Sequence, residues 1–252
     1  MSDKNPLFLD DIYRSEKRAL TELSRLENEE EGESLKRVCW FCLHPAWSVR
    51  EKALTLLEQK SPLLSVFAGR SLLSDPAPLV RCGAILCLMQ KKTRRNALLI
   101  YPLLTDPDWT VRCEAADCLA KMPVTYTLEE IVEVYRAEPS EFVRRDLALL
   151  IKKTKSPQAV KILRELFETE TEPIACLGVL ATLHRLKEKD ALMQMLAYLD
   201  FEEGILQNNV INGFRYLSLT SKDKKTIVDY VKPDALLPGA KADYRELLRL
   251  WE

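Results

Sequence analysis

Apolar positions recur with helical spacing at Val111, Ala115, Cys118, Leu119 and Met122, which fall at i, i+4, i+7, i+8 and i+11 and share one face of a helix. Val80, Ala84, Cys87 and Leu88 draw the same face 31 residues earlier. The stretches around them, DPAPLVRCGAILCLM from Asp75 and DPDWTVRCEAADCLA from Asp106, are identical at eight of fifteen positions. Further copies begin at His44 and Glu138, so that Val49-Arg50, Val80-Arg81, Val111-Arg112 and Val143-Arg144 form one series, and a fixed period of this length marks a repeat architecture.

Each copy predicts the second helix of a pair, with Asp75 or Asp106 as N-cap and Pro76 or Pro107 at the first helical position. First helices are expected to start near Ser61-Pro62, Thr93, Thr127 with Glu130 as a capping box, and Ser156-Pro157. Past residue 155 the pattern weakens, yet pairs are expected at 157–168 with 173–186, 189–200 with 204–218, and 221–232 with 240–251. Residues 8–26 read as an N-terminal capping helix followed by the acidic stretch 27–33. The predicted organisation is a cap and linker over 1–33 and a repeat array over 34–252, regular to 154 and degenerate from 155.

The motif DP…VR…A…L at a period of 31 resembles the HEAT repeat, above all the short type of bilin-lyase-like proteins, over residues 44–152. The resemblance implies an all-α fold, a right-handed α-α superhelix of about seven helix pairs with an N-terminal capping helix. It also implies that the second helices line the concave side. The arginines Arg50, Arg81, Arg112 and Arg144 would then pair with turn acids of neighbouring repeats, for which Asp75, Asp106 and Glu138 are available. As mostly exposed pairs they would set register more than stability.

Composition narrows the function. With 47% apolar and 30% charged residues the chain has material for a core. The start MSDKNPLFLDD is not a secretory signal, no uncharged apolar run approaches a membrane span, and seven cysteines inside helical patterns favour a reducing compartment, so a cytoplasmic location is expected. Lys plus Arg (37) nearly cancels Asp plus Glu (38), and only the distribution of charge is informative.

Candidate chemistry is thin. Cys39-Trp40-Phe41-Cys42 has the spacing of a zinc knuckle or redox dithiol but no second pair follows, and both thiols fall on the apolar face. Cys82 with Cys87, and Cys113 with Cys118, stand about 140° apart around their helices and cannot share a metal there. The two histidines, His44 and His184, lie far apart without a local catalytic signature. No catalytic residue, metal or cofactor is expected.

Turns within pairs are acidic and turns between pairs are basic, which predicts one acidic edge and a basic edge of Lys91, Lys92, Arg94, Arg95, Lys152, Lys153 and Lys155. Trp47 and Trp109 share one repeat position near the start of the second helix, where they either pack on the next repeat or anchor a ligand. Opposite the core stripe the second helices carry Glu114, Asp117, Asp146, Asn209 and Asn212. The segment QNNVINGFRY is rich in poor helix formers, and a binding surface using Asn209, Asn212, Arg215 and Tyr216 would account for it, as would a broken terminal repeat.

The leading expectation is a non-catalytic scaffold that binds a protein partner on the concave face, as adaptor, assembly factor or immunity-type inhibitor, and is otherwise monomeric. Two enzyme-class alternatives come from the resemblance. Alkylpurine DNA glycosylases use short HEAT-like arrays, but the predicted groove is acidic, which disfavours nucleic acid. A bilin lyase or chromophore-handling chaperone is the other, and nothing in the sequence marks a tetrapyrrole pocket.

Overall fold

The computed structural model of the protein describes residues 15–29 and 32–251. Among them every regular element is helical, and the chain divides into two compact units, Met1–Thr125 and Tyr126–Glu252. The expected capping helix is present as α1 (Glu16–Leu26); its predicted first residues, 8–14, and the linker residues 30 and 31 lie outside the described residues.

In the first unit α2 (Glu33–Phe41) pairs with α3 (Trp47–Lys60) and α4 (Pro62–Leu72) with α5 (Pro78–Met89). The short α6 (Arg94–Ile100), extended by the 3-10 turn Tyr101–Thr105, pairs with α7 (Trp109–Ala120). Second helices stack in order, α1 on α3, α3 on α5 and α5 on α7. The predicted stripe forms the core: Val80, Ala84, Cys87, Leu88, Val111, Ala115 and Leu119 are inaccessible to solvent.

The second unit repeats the scheme with α8 (Leu128–Ala137) and α9 (Glu141–Lys153), then α10 (Ala159–Thr169) and α11 (Pro173–Arg185). Next come α12 (Ala191–Ala197) with the 3-10 turn Tyr198–Asp200 and α13 (Gly204–Arg215), then α14 (Ser221–Tyr230) and α15 (Pro238–Arg249). Here α9 stacks on α11, α11 on α13 and α13 on α15. The second helices of the whole chain begin at 47, 78, 109, 141, 173, 204 and 238, so the helical period persists past residue 155 where the sequence motif fades. Seven pairs follow α1 among the described residues, three in the first unit and four in the second, and within each unit the helices stack as the HEAT resemblance implies.

Two sequence expectations about helix starts need correction. Asp75 and Asp106 are not N-caps: α5 is capped by Ala77 with Pro78 in its first turn, and α7 by Asp108, whose side chain accepts from the Thr110 N–H. Asp75 and Asp106 instead lie two residues before the N-caps, accepting from the N–H groups of Ala77 and Asp108 at 2.9 Å, the hydrogen bond by which an Asp closes a tight turn. The capping box of Thr127 and Glu130 forms as predicted.

Candidate functional site

The arginine series is internal. Arg50 donates from Nε and Nη2 to both carboxylate oxygens of Asp75 at 2.7 Å, and Arg81 does the same to Asp106 at 2.8 and 2.6 Å. In the second unit Arg144 grips Glu170 at 2.8 and 2.9 Å. Each arginine also spends Nη1 on two carbonyls of its own turn: His44 and Pro45 for Arg50, Asp75 and Pro76 for Arg81, Asp106 and Pro107 for Arg112, Glu138 and Pro139 for Arg144. Arg50, Arg81 and Arg144 thus each close their own turn and clamp the next.

The expectation of mostly exposed pairs is overturned. Arg50, Asp75, Arg81 and Asp106 are each only 7–8% exposed, because the turn carbonyls and the adjoining helices close over the guanidinium. Bidentate, charge-assisted bonds at such burial are far stronger than rim contacts, and removing one partner strands the other.

The carboxylates record this. Burial alone would raise the Asp75 pKa, but the Arg50 hydrogen bonds, the Ala77 N–H and the charges of Arg50 and Arg81 outweigh it and hold the carboxyl below the ordinary value. Burial likewise opposes ionisation of Glu170 and is overcome by Arg144, the Glu172 N–H and the Tyr135 hydroxyl. A depressed folded-state pKa contributes stability that is complete above the unfolded value, about 4, and is lost as pH falls through the lower folded value. Denaturant titrations should therefore show stability level from pH 7 to about 5 and falling below about 4. Glu170→Gln should lower the plateau and flatten the acid limb, and an unchanged acid slope in that variant would count against the coupling.

Where the motif fades, the geometry continues with other chemistry. Cys176 occupies the arginine position of α11 and its thiol points to the Glu170 carbonyl at 3.7 Å, six residues back, as each arginine does. Gln207 takes the position in α13: Nε2 donates to the Phe201 and Leu199 carbonyls at 3.0 Å, and Oε1 accepts from the Leu237 N–H at 2.9 Å. Gln207 is 1% exposed and spans two turns as an uncharged clamp. At the other end His44 stands where the turn acid would be, and Nδ1 accepts from the Ala46 N–H at 3.0 Å.

Burial raises the pKa of six of the cysteines. Burial pushes Cys42 and Cys87 up to about 12, and it raises Cys39, Cys82, Cys118 and Cys176 as well, so these groups remain thiols at neutral pH. The carboxylates of Glu114 and Asp117 and the thiol of Cys118 lie within 4.8 Å of one another. They satisfy each other and their neighbour: Cys118 approaches Glu114 at 3.4 Å, and Lys121 pairs with Asp117.

Of the surface residues singled out in the first unit, Asp117 is exposed and Glu114 half-buried on α7. In the second unit Asp146 is bound by its neighbour Arg145 at 2.8 and 3.0 Å. The odd composition of α13 has an intramolecular counterpart in α15. Asn212 donates to Asp243 at 2.8 Å, Arg215 pairs with Glu246 at 2.7 Å, and Asn208 faces Gly239, where an added Cβ would stand 3.1 Å from its amide. Asn209 donates to the carbonyl of Ile205, and Tyr216 is 77% exposed. The segment is a continuous helix to Arg215, not a broken repeat.

The edges differ from their sequence pattern. Asp75 and Asp106 are turned inward, so the turn edge of the first unit displays Trp40, Leu43, Trp47, Leu79 and Trp109, each between 48% and 73% exposed. No pattern search for charge would find this edge; the shared position of Trp47 and Trp109 is its trace in the sequence. In the second unit the corresponding turns keep Glu168, Glu172, Glu202 and Glu203 at the surface. On the opposite edge Lys91, Lys92, Arg94 and Arg95 are exposed in the first unit; in the second, Lys152 and Lys153 are half-buried and Lys155 is exposed in the left-handed region at φ 56°.

A family model described as HEAT repeats matches residues 96–183. No curated protein matches the chain. No helix among the described residues is long and apolar enough to cross a membrane.

Proposed function

We propose that this chain, which carries HEAT repeats, is a non-catalytic protein-binding scaffold of the adaptor, assembly-factor or inhibitor kind. HEAT repeats generally serve as protein-interaction scaffolds. The observation that carries the reading is the turn edge of the first unit, where the charged side chains fold inward and Trp40, Trp47, Leu79 and Trp109 face outward. Trp47 and Trp109, at one repeat position, keep about half of their surface in water, and tryptophan anchors are the side chains that dominate protein interfaces. Glu114 and Asp117, on the solvent side of the helix that Trp109 begins, are the acidic contacts of the same proposal.

The test is affinity capture from a lysate of the source cells with the wild type and with Trp47→Ala plus Trp109→Ala. The captured partner should be retained at least about tenfold less by the variant, since each anchoring Trp contributes on the order of 2 kcal/mol. Thermal stability should stay within a few degrees, because both rings are about half exposed. Equal capture by both proteins would remove the edge from the interface.

A further inference from the structure

The outer face of the first unit, formed by α4 and α6, combines apolar and basic groups in one place. Leu63 and Phe67 on α4 and Leu98 on α6 are 52%, 57% and 52% exposed. In the register of 31, Phe67 corresponds to Leu98, and Leu63 to Arg94. Arg70 fixes their proximity, because its guanidinium lies 5.8 Å from the Phe67 ring centroid and donates to Asn96 of α6 at 2.8 Å. Asn96 is fully buried and donates in turn to the carbonyls of Leu88 and Lys91, which fixes the turn carrying Lys91 and Lys92 at the head of α6.

Lys91, Lys92, Arg94 and Arg95 are all exposed, and none makes an ion pair with a carboxylate among the described residues. Arg94 reaches only the Val124 carbonyl, at 3.5 Å, and Glu58 nearby is held by Gln90 at 2.9 Å. Four cations within five residues repel one another, and no carboxylate among the described residues pairs with them. Such a concentration of one sign beside exposed aliphatic groups is complementary to an acidic, apolar surface.

We propose that this face binds an acidic amphipathic helix of a protein partner, with leucine or phenylalanine at i, i+3 and i+4 seated over Phe67 and Leu98 and carboxylates toward Lys91, Lys92, Arg94 and Arg95. Two of the three exposed apolar groups are leucines, which cannot stack on a base. A phosphate backbone would use the cations and leave them uncovered, so the chemistry favours a protein helix over nucleic acid. The surface shares no residue with the tryptophan edge, and each can fail without the other.

The probe is a fluorescein-labelled synthetic peptide of about 18 residues, five helical turns, with Leu and Phe at i, i+3, i+4 and i+7 and Glu elsewhere. A second peptide of equal charge replaces Leu and Phe by Ser, and a single-stranded DNA of similar length serves as the competing class. Anisotropy with the full chain should show the amphipathic peptide binding at least about tenfold more tightly than the Ser peptide. Lys91→Glu, Lys92→Glu, Arg94→Glu and Arg95→Glu together should abolish binding of both peptides. Phe67→Ser with Leu98→Ser should reduce the amphipathic peptide to the affinity of the Ser peptide, and Trp47→Ala with Trp109→Ala should change nothing. Equal affinity for the two peptides, tighter binding of the DNA, or no saturable binding of either peptide at low salt would overturn the proposal.

Discussion

Arg81→Ala should destabilise the first unit by about 3 kcal/mol or more and lower its Tm by about 10 °C. The substitution leaves the Asp106 carboxylate, 8% exposed, without the guanidinium that meets both of its oxygens. It also frees the carbonyls of Asp75 and Pro76, which Arg81 joins at 2.8 and 3.2 Å. Arg81→Lys should recover only part of the loss, since an ammonium group cannot span two carboxylate oxygens and a turn in one plane. Adding Asp106→Asn to Arg81→Ala should cost less than the sum of the single changes, because the stranded charge is then removed. Additive losses, or a Tm shift of only a degree or two for Arg81→Ala, would mean that the Arg81–Asp106 pair merely decorates the turns.

Gly178→Ala should destabilise the second unit by about 3 kcal/mol, at the upper end of overpacking costs, although alanine is the better helix former. A Cβ at Gly178 of α11 would stand 2.5 Å from the Arg145 Cα and 2.6 Å from its carbonyl oxygen on α9. Both are backbone atoms, so no side chain can swing aside and the two stacked helices must separate. Gly213→Ala in α13 is the contrast: the added methyl meets only the Met195 Cε at 3.9 Å, and the variant should gain about 0.5–1 kcal/mol from the helix backbone. Urea unfolding of the two variants decides the matter. Opposite expectations for one chemical change separate close packing from propensity, and stabilisation by Gly178→Ala would refute the close approach.

Gly178 shows where sequence reading stops. A glycine within a helical pattern reads as a weakness, and only the approach of a second backbone reveals it as a requirement. The helical period, the apolar stripe and the capping box at Thr127 were legible because each depends on spacing along one helix. Asp75 and Asp106 lie two residues before the caps: an Asp-Pro start looks like an N-cap when viewed locally, whereas the acid is held by an arginine 25 residues away. Burial of that pair followed from the stacking of turns, which composition does not report.

Gln207 and Cys176 illustrate the same limit in reverse. Their side chains bear no likeness to arginine, so the arginine series stops at Arg144 in the sequence, while the positions keep their contacts to the turn carbonyl. The asparagines of α13 were visible as an anomaly, and their counterpart Asp243 lies 31 residues away from Asn212 in a helix with no matching motif. The tryptophan edge was half legible, since the repeat placed Trp47 and Trp109 alike, but their exposure depended on the acids around them turning inward.

Three of the four tryptophans, Trp40, Trp47 and Trp109, lie on the proposed edge of the first unit, while Trp251 belongs to the second unit, beneath Lys224. Intrinsic fluorescence of the full chain, recorded as a captured partner is titrated in and with acrylamide as quencher, therefore reads that edge directly. A partner without tryptophan, or one whose tryptophans have been replaced by phenylalanine, keeps the signal unambiguous. The account predicts a shift of the emission maximum to shorter wavelength and a clear fall in acrylamide quenching at saturation, as rings that are about half exposed lose their water. An emission maximum and a quenching constant unchanged at saturating partner would place the interface elsewhere and contradict the central claim.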